Sequence, residues 1–392
     1  MRLSLVAVAA AMTAFPADAS DRTDLDRGLA ALAAKGAGGS GPLAGVALAV
    51  AMDGRLIYKG AAGCAQFSAD GACRVPMRAE TKFRVASVSK FVAAEAAMAL
   101  AREGKIDLDR DVSDYLGFRF RNPAYPDDPI TARQLMAHVS SLRDPEEYWA
   151  TAPDAFAPIL ARPDLFAPAE AGASKAPGQF FKYANINYGV LAAVMEKATG
   201  ERFDAIARKQ VLAPLKLDAG FNWSGVSMKA RRQGATLYRI ENGAWKAQTD
   251  DDEMLNDTLP AFRKQDGLDS AAYLAAYRPG DNPTLFSPQG GLRASVLDLA
   301  ALGARLQRDP SRAAPLWRYD AKANNGDAER GMYEAFGAGV QTVVGTPDFL
   351  DGARLEGHFG EAFGLQSGLF VVRADAARGR DKDVVVAWAI TG

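Results

Sequence analysis

The chain has 392 residues, enough for two ordinary domains or one large composite one. Lys plus Arg number 46 against 47 Asp plus Glu, a net charge of −1, so no basic stripe points to nucleic acid and no polybasic tail to a membrane surface. With two histidines, His138 and His358, and no H-E-x-x-H pattern, the chain does not read as a zinc enzyme, and the only other metal reading, a calcium site at the acidic run 250–253, is secondary to a solvated loop.

In chain order, Arg2 precedes an apolar run from Leu3 to Phe15, and Ala17-Asp18-Ala19 offers a small-x-small cleavage site. This predicts a secretory signal peptide over residues 1–19, with a periplasmic or secreted product. The apolar run is too short to span a bilayer, no cysteine follows the cleavage site and no later segment looks like a stable membrane anchor. Apolar spacing at Leu25, Leu29 and Leu32 predicts a helix ending at the Gly-rich break near residue 36. LAGVALAVA and RLIYKGAAG, joined by Asp53-Gly54, predict a β-hairpin. Cys64 and Cys73 flank a turn-forming SADG. In an exported chain they read as one disulfide, the other reading being two buried thiols.

FRVASVSKFVAAEAAMALAREGK, residues 83–105, reads as one apolar helix ending near Gly104. The long middle of the chain then reads as helices, loops and proline-rich connections. Within it, ANINYGVLAAVMEKATG predicts a helix closed by Gly200, and the acidic run 250–253 reads as a solvated loop. GGLRASVLDLAALGARL predicts another helix, with Ser295 as N-cap. Near the end RLEGHFG, LQSGLFVVRA and KDVVVAWAI change to strand periodicity. These elements predict an α+β fold: an antiparallel β-sheet flanked by helices, from residues 20–79 and 286–392, with a mostly helical subdomain over 80–285. Together they are expected to form one domain.

Three constellations carry chemistry. Ser87 and Lys90, spaced i and i+3, share one face at a helix start, where the N-terminus favours a developing alkoxide. A serine needs a base to become a nucleophile, and a lysine buried among Val88, Phe91 and Val92 can serve. The plainer reading is a capping serine beside an exposed lysine. Tyr183 and Asn185 stand two apart before a helix, so an extended backbone points both the same way. GHFGEAFG, residues 357–364, is a Gly-rich strand that can present backbone N–H groups to an oxyanion, with His358 facing a pocket.

Taken together, Phe83 to Lys90, Tyr183-Ala184-Asn185 and His358-Phe359-Gly360 resemble the serine β-lactamase and penicillin-binding protein superfamily, whose marker is S-x-x-K. The resemblance is to the branch holding class C β-lactamases, D-alanyl-D-alanine carboxypeptidases and related esterases. ITARQLMAHVSSLRD, SPQGGLRASVLDLA and the export signal are similar as well. S-x-x-K and Y-x-N each occur once in the chain. The resemblance implies a β-lactamase/transpeptidase-like fold and an acyl-enzyme without a cofactor. It implies Ser87 as nucleophile, Lys90 as its activator and Tyr183 in proton transfer. Asn185, His358 and Gly360 would contact a small-molecule or peptide substrate, and the backbone N–H groups of Ser87 and Glu361 would form the oxyanion hole. His138 reads as structural. A Ser-His-Asp triad is disfavoured because no G-x-S-x-G elbow is present.

Two departures shape the expectation. His358 replaces the lysine that in relatives helps hold a substrate carboxylate, which favours peptidase or esterase chemistry over an efficient β-lactamase. Ser141 stands where relatives commonly have glycine. The chain stops right after its last strand, so the outer sheet face is expected to be open or covered by residues 20–35 alone. A non-catalytic module that binds cell-wall fragments is the alternative of another class.

Overall fold

The computed structural model describes residues 19–35, 42–169, 174–248, 265–327, 332–346 and 349–392. The predicted leader up to Asp18 and the acidic run 250–253 lie outside the described residues.

The hairpin forms as expected. Strands β1 (Gly45–Met52) and β2 (Arg55–Phe67) are joined by Asp53 and Gly54, with φ of 52° and 73°. Two successive left-handed residues match the twist of the strands they connect. Cys64 on β2 is bonded to Cys73 at the start of β3 (Cys73–Pro76), with Cα atoms 5.7 Å apart.

The sequence-distant ends of the chain meet in one sheet. The last strand, β14 (Val384–Thr391), pairs antiparallel with β1, from Gly45 opposite Thr391 to Met52 opposite Val384. The full order is β3-β2-β1-β14-β13-β12-β11-β10-β9. Here β12 is Phe349–Ala362 and β13 is Leu365–Val372. Three strands that periodicity did not mark extend this sheet: β9 (Trp317–Arg318), β10 (Tyr333–Phe336) and β11 (Gln341–Thr346).

Helix α1 (Ala19–Lys35) covers one face of the hairpin. Leu25 and Leu29 pack in the cluster that holds Val46, Leu48 and Tyr58, and Tyr58 Oη donates to Asp26. The opposite face carries small residues, Ala47, Ala49, Ala387 and Ala389, and receives helix α6 (Val296–Arg308) through Leu299, Leu302 and Leu306. Gly303 lets that helix approach, because a Cβ there would overlap Val385 and Leu369. Ser295 is its N-cap and accepts from Asp298 N, as expected.

Beyond the sheet, α2 (Ser89–Arg102) and α4 (Ile186–Thr199) are core helices, with α3 (Ala132–Met136) and α5 (Phe203–Ala207) packed beside α4. Every residue of α4 from Ile186 to Glu196 is buried, the polar Asn187 and Glu196 included, so the helix is enclosed on all sides. Gly200, at φ 69°, ends it in the left-handed conformation.

Two readings of the middle segment are corrected. Residues 83–105 are not one helix: β4 (Phe83–Arg84), a 3₁₀ turn (Ala86–Val88) and then α2 follow one another. Backbone pairing explains the break. β4 bonds to β8 (Leu292–Ala294), which also pairs with β5 (Gly220–Phe221) in a three-stranded sheet. A second hairpin, β6 (Leu237–Glu241) and β7 (Ala244–Gln248), lies where helices and loops were expected. It turns at Asn242-Gly243, a signature the sequence carries openly.

Candidate active site

The 3₁₀ turn places Ser87 between β4 and α2, half-buried, with Ala86 at φ 46° before it. A non-glycine residue in that region stores strain and persists only where its surroundings hold it. They do so here. Val85 N donates to Leu292 O, Ser367 Oγ donates to Val85 O, and Ser89 Oγ links Ala86 O to Leu292 N.

One turn on, Lys90 is fully buried. Its Nζ lies 2.9 Å from Ser87 Oγ, 2.8 Å from Asn185 Oδ1 and 3.0 Å from Gln289 O. Burial pulls its pKa down to about 7, opposed by the charge of Asp144. At neutral pH much of Lys90 is therefore an amine. Two of its N–H groups can donate to Asn185 and Gln289, which leaves a lone pair toward the Ser87 hydroxyl. The capping-serine and exposed-lysine alternative does not fit this arrangement.

Tyr183 completes the cluster, its ring 4.8 Å from Lys90 Nζ. Burial raises its pKa well above the ordinary value, against the hydrogen bond it shares with Ser87, so the phenol keeps its proton. The ring stacks on His138 at 4.3 Å between centroids. His138 is buried, and its Nδ1 accepts from Ala184 N at 3.1 Å. Burial holds its pKa well below the ordinary value. It supports Tyr183 as a neutral packing partner, in keeping with a structural role.

The third constellation lies on β12. β11 pairs with β12 only as far as Gln341 opposite Gly357, so residues 358–362 have an edge that β11 does not cover. Phe359 N donates across that edge to Gln341 Oε1. Backbone groups alternate sides along a strand, so Glu361 N–H leaves the same edge two residues on, beside the 3₁₀ turn. Gly360 makes the approach possible: a Cβ there would overlap Val85 O and Ser367 Oγ and lie 3.2 Å from Ser87 N. The two N–H groups expected to face an oxyanion thus belong to segments in close contact.

His358 sits differently from the expectation. It is fully covered, 0% exposed, and its ring lies 6.3 Å from that of Tyr183. Nδ1 bonds to Phe359 O and Nε2 lies 3.5 Å from Gln341 Nε2. Burial and the nearby Lys90 bring its pKa down to about 3. It is neutral and touches the site through Tyr183 rather than through an open wall.

The sequence reading missed Asp144, Gln289 and Gln341. Asp144 and Gln289 lie inside stretches quoted for their likeness to relatives, but nothing in their spacing says what they touch. Ser141 adopts φ 70°, the left-handed region that glycine reaches most easily, and its hydroxyl accepts from Asn122 Nδ2. Among the described residues no cluster of acidic, histidine or cysteine side chains could hold a metal ion.

A large antiparallel sheet flanked by helices, with Ser-x-x-Lys folded against Tyr-x-Asn, defines the fold of the serine β-lactamases and penicillin-binding proteins. A beta-lactamase family model matches residues 25–392, and the chain belongs to that family. It is 32% identical over 196 residues to esterase EstB of Burkholderia gladioli, covering 46% of this chain and 47% of the esterase. It is 29% identical over 136 residues to the D-alanyl-D-alanine-carboxypeptidase/endopeptidase AmpH of Escherichia coli (strain K12), covering 34% of each. These matches span half or less of the relatives' lengths. Among solved structures, EstCE1, a hydrolase with promiscuous acyltransferase activity, superposes with a TM-score of 0.61 at 21% identity, covering 93% of this chain and 92% of that one. The D-amino acid amidase of Ochrobactrum anthropi SV3 gives a TM-score of 0.59 at 18% identity, covering 95% and 91%. At such identities the structural matches show the fold. The curated relatives thus include an esterase and a D-alanyl-D-alanine-carboxypeptidase/endopeptidase.

Proposed function

We propose that this protein is an exported serine hydrolase that forms an acyl-enzyme on Ser87 and acts on a small ester or amide of the D-alanyl peptide or ester type. The observation that carries the reading is the buried Lys90 Nζ, 2.9 Å from Ser87 Oγ with a pKa near 7. A general base works best when its pKa lies near the working pH.

In this reading the Lys90 amine takes the Ser87 proton as Oγ bonds to the substrate carbonyl carbon. The oxyanion is held by the N–H groups of Ser87 and Glu361. The bond to the leaving alcohol or amine then breaks, and the leaving group collects a proton passed through Tyr183. Water attacks the acyl ester, gives its proton to the same pair, and releases the acid and Ser87. Asn185, held between Lys90 and Asp144, positions the substrate. No cofactor enters.

The substrate preference rests on His358. A neutral, covered histidine supplies no fixed cation for a carboxylate. This favours esters and amides without a neighbouring carboxylate over β-lactams, and within the D-alanyl class it favours the ester over the free peptide. The disulfide between Cys64 and Cys73 supports passage through an oxidising compartment.

Intact-mass spectrometry with a fluorophosphonate and with benzylpenicillin, using Ser87→Ala as control, tests the reading. Steady-state assays of p-nitrophenyl esters, a D-Ala-D-Ala peptide and a chromogenic cephalosporin accompany it. The expected result is a fluorophosphonate adduct absent from the variant, with ester or peptide kcat/KM well above that for the cephalosporin. A dominant cephalosporinase activity would make the protein a class C-like β-lactamase. No adduct with either reagent on folded protein would point instead to a module that binds cell-wall fragments without catalysis.

A further inference from the structure

Asn185 occupies the N-cap position of α4 yet makes no side-chain capping bond. An asparagine there ordinarily turns back to accept from an N–H of the first turn. Here a residue far away in sequence does that work. Asp144 Oδ1 accepts from Ile186 N at 2.8 Å, and its Oδ2 accepts from Asn185 Nδ2 at 2.9 Å. With its amide nitrogen tied to Asp144, Asn185 can present only Oδ1 to Lys90 Nζ, at 2.8 Å.

The loop that carries Asp144 is built to hold it. Arg143 N donates to Leu165 O and Ala167 N to Ser141 O. Asn122 Nδ2 bonds to Ser141 Oγ and to Ala167 O. The left-handed Ser141 and the bridge between Leu142 and Phe166 aim the segment at the start of α4. The positive end of that helix also favours a carboxylate at this place.

We infer that Asp144 is a positioning residue for the reaction at Ser87: by capping α4 in place of Asn185, it fixes the Asn185 amide so that its oxygen faces the Lys90 amine. The inference rests on the proposed role of Ser87 and Lys90. Asp144 acts through Asn185 and bonds no reacting atom. If it were replaced by asparagine, one acceptor would become a donor. The Asn185 amide could then rotate, presenting NH₂ to Lys90 and disturbing the lone pair that faces Ser87. Lys90 would also lose its nearby negative charge. The other groups facing it are neutral: His138, His358 and the phenols of Tyr183 and Tyr188.

The test compares wild type, Asp144→Asn and Asp144→Glu. Single-turnover acylation by a p-nitrophenyl ester is followed against pH, Lys90 is titrated by NMR of 13Cε-lysine protein, and thermal melting reports folding. For Asp144→Asn we expect kcat to fall roughly 10- to 100-fold with little change in KM, as for a slightly misplaced catalytic group. The Lys90 titration should move to lower pH. Asp144→Glu, which keeps the charge, should restore the Lys90 titration and part of the rate. If acylation and the Lys90 titration in Asp144→Asn match wild type, or if the rate loss merely tracks a fall in melting temperature that glutamate does not repair, the inference is overturned. A wild type that does not acylate at all would sink the proposed function, while the lysine titration would still decide for or against the contact described here.

Discussion

The amine of Lys90 is where a few ångströms decide the chemistry. An exposed lysine is an ammonium at neutral pH and cannot accept a proton. Full burial brings its pKa down to about 7. The base is the unprotonated form, so acylation should be slow below pH 6, rise with a slope of one in a logarithmic plot and level off above about pH 7. His358, titrating near 3, and Tyr183, raised well above its ordinary value, should add no second step between pH 5 and 9. Stopped-flow acylation across that range checks the profile. Lys90→Ala should lower the plateau by roughly 10²- to 10⁴-fold, the usual weight of a general base. A wild-type rate flat from pH 5 to 9 would rule out Lys90 as the base. The identities of Ser87, Lys90, Tyr183 and Asn185 were all legible in the sequence, because S-x-x-K and Y-x-N are short and local. Asp144 and Gln289 were not, because each reaches Lys90 or its partner across a long sequence separation through contacts that no spacing encodes.

At the scale of elements, the site is a meeting of a strand edge and a turn. β12 runs past the end of β11 and so leaves an edge that β11 does not cover where the 3₁₀ turn arrives. Gly360 permits the contact. Gly360→Ala would push a Cβ into Val85 O and Ser367 Oγ, and a backbone oxygen cannot rotate away as a side chain can. We expect kcat/KM to fall on the order of 100-fold as Ser87 N and Glu361 N separate. A stability loss of about 1–3 kcal/mol should accompany it, the usual cost of overpacking. Kinetics and urea unfolding of the same variant measure both, and unchanged kcat/KM would show that the close approach is dispensable. The strand identity of β12 was readable from period and glycines. The broken helix at residues 83–105 was not, since an apolar stretch of that kind fits either a strand or a helix until its pairing partner, β8, is known.

Over the whole molecule, the sheet closes on itself in sequence: the first hairpin and the last strand are neighbours, and the helical middle stands between them in the chain. The disulfide ties β2 to β3 at one edge, with β1, β14 and β13 between it and β12. Cys64→Ser with Cys73→Ser should therefore lower stability by about 2–3 kcal/mol through the freed unfolded chain. Acylation should stay within twofold of wild type. Denaturant melts and ester kinetics of the double variant decide it, and a large loss of activity at full folding would mean that the edge communicates with the site.

The sequence by itself determined the α+β class and which side chains the site gathers, because Ser87, Lys90 and Tyr183 are marked by local motifs and the terminal strands by their period. Only the tertiary structure decided three further things. The pKa of Lys90 depends on total burial, His358 turns out covered and neutral rather than a pocket wall, and the Asn185 amide is aimed by Asp144. The short strands β4, β8 and β9 likewise took form only through their partners. In each case the cause is a contact between segments far apart in the chain, and a side chain's charge and orientation are set by such neighbours rather than by its own residue type.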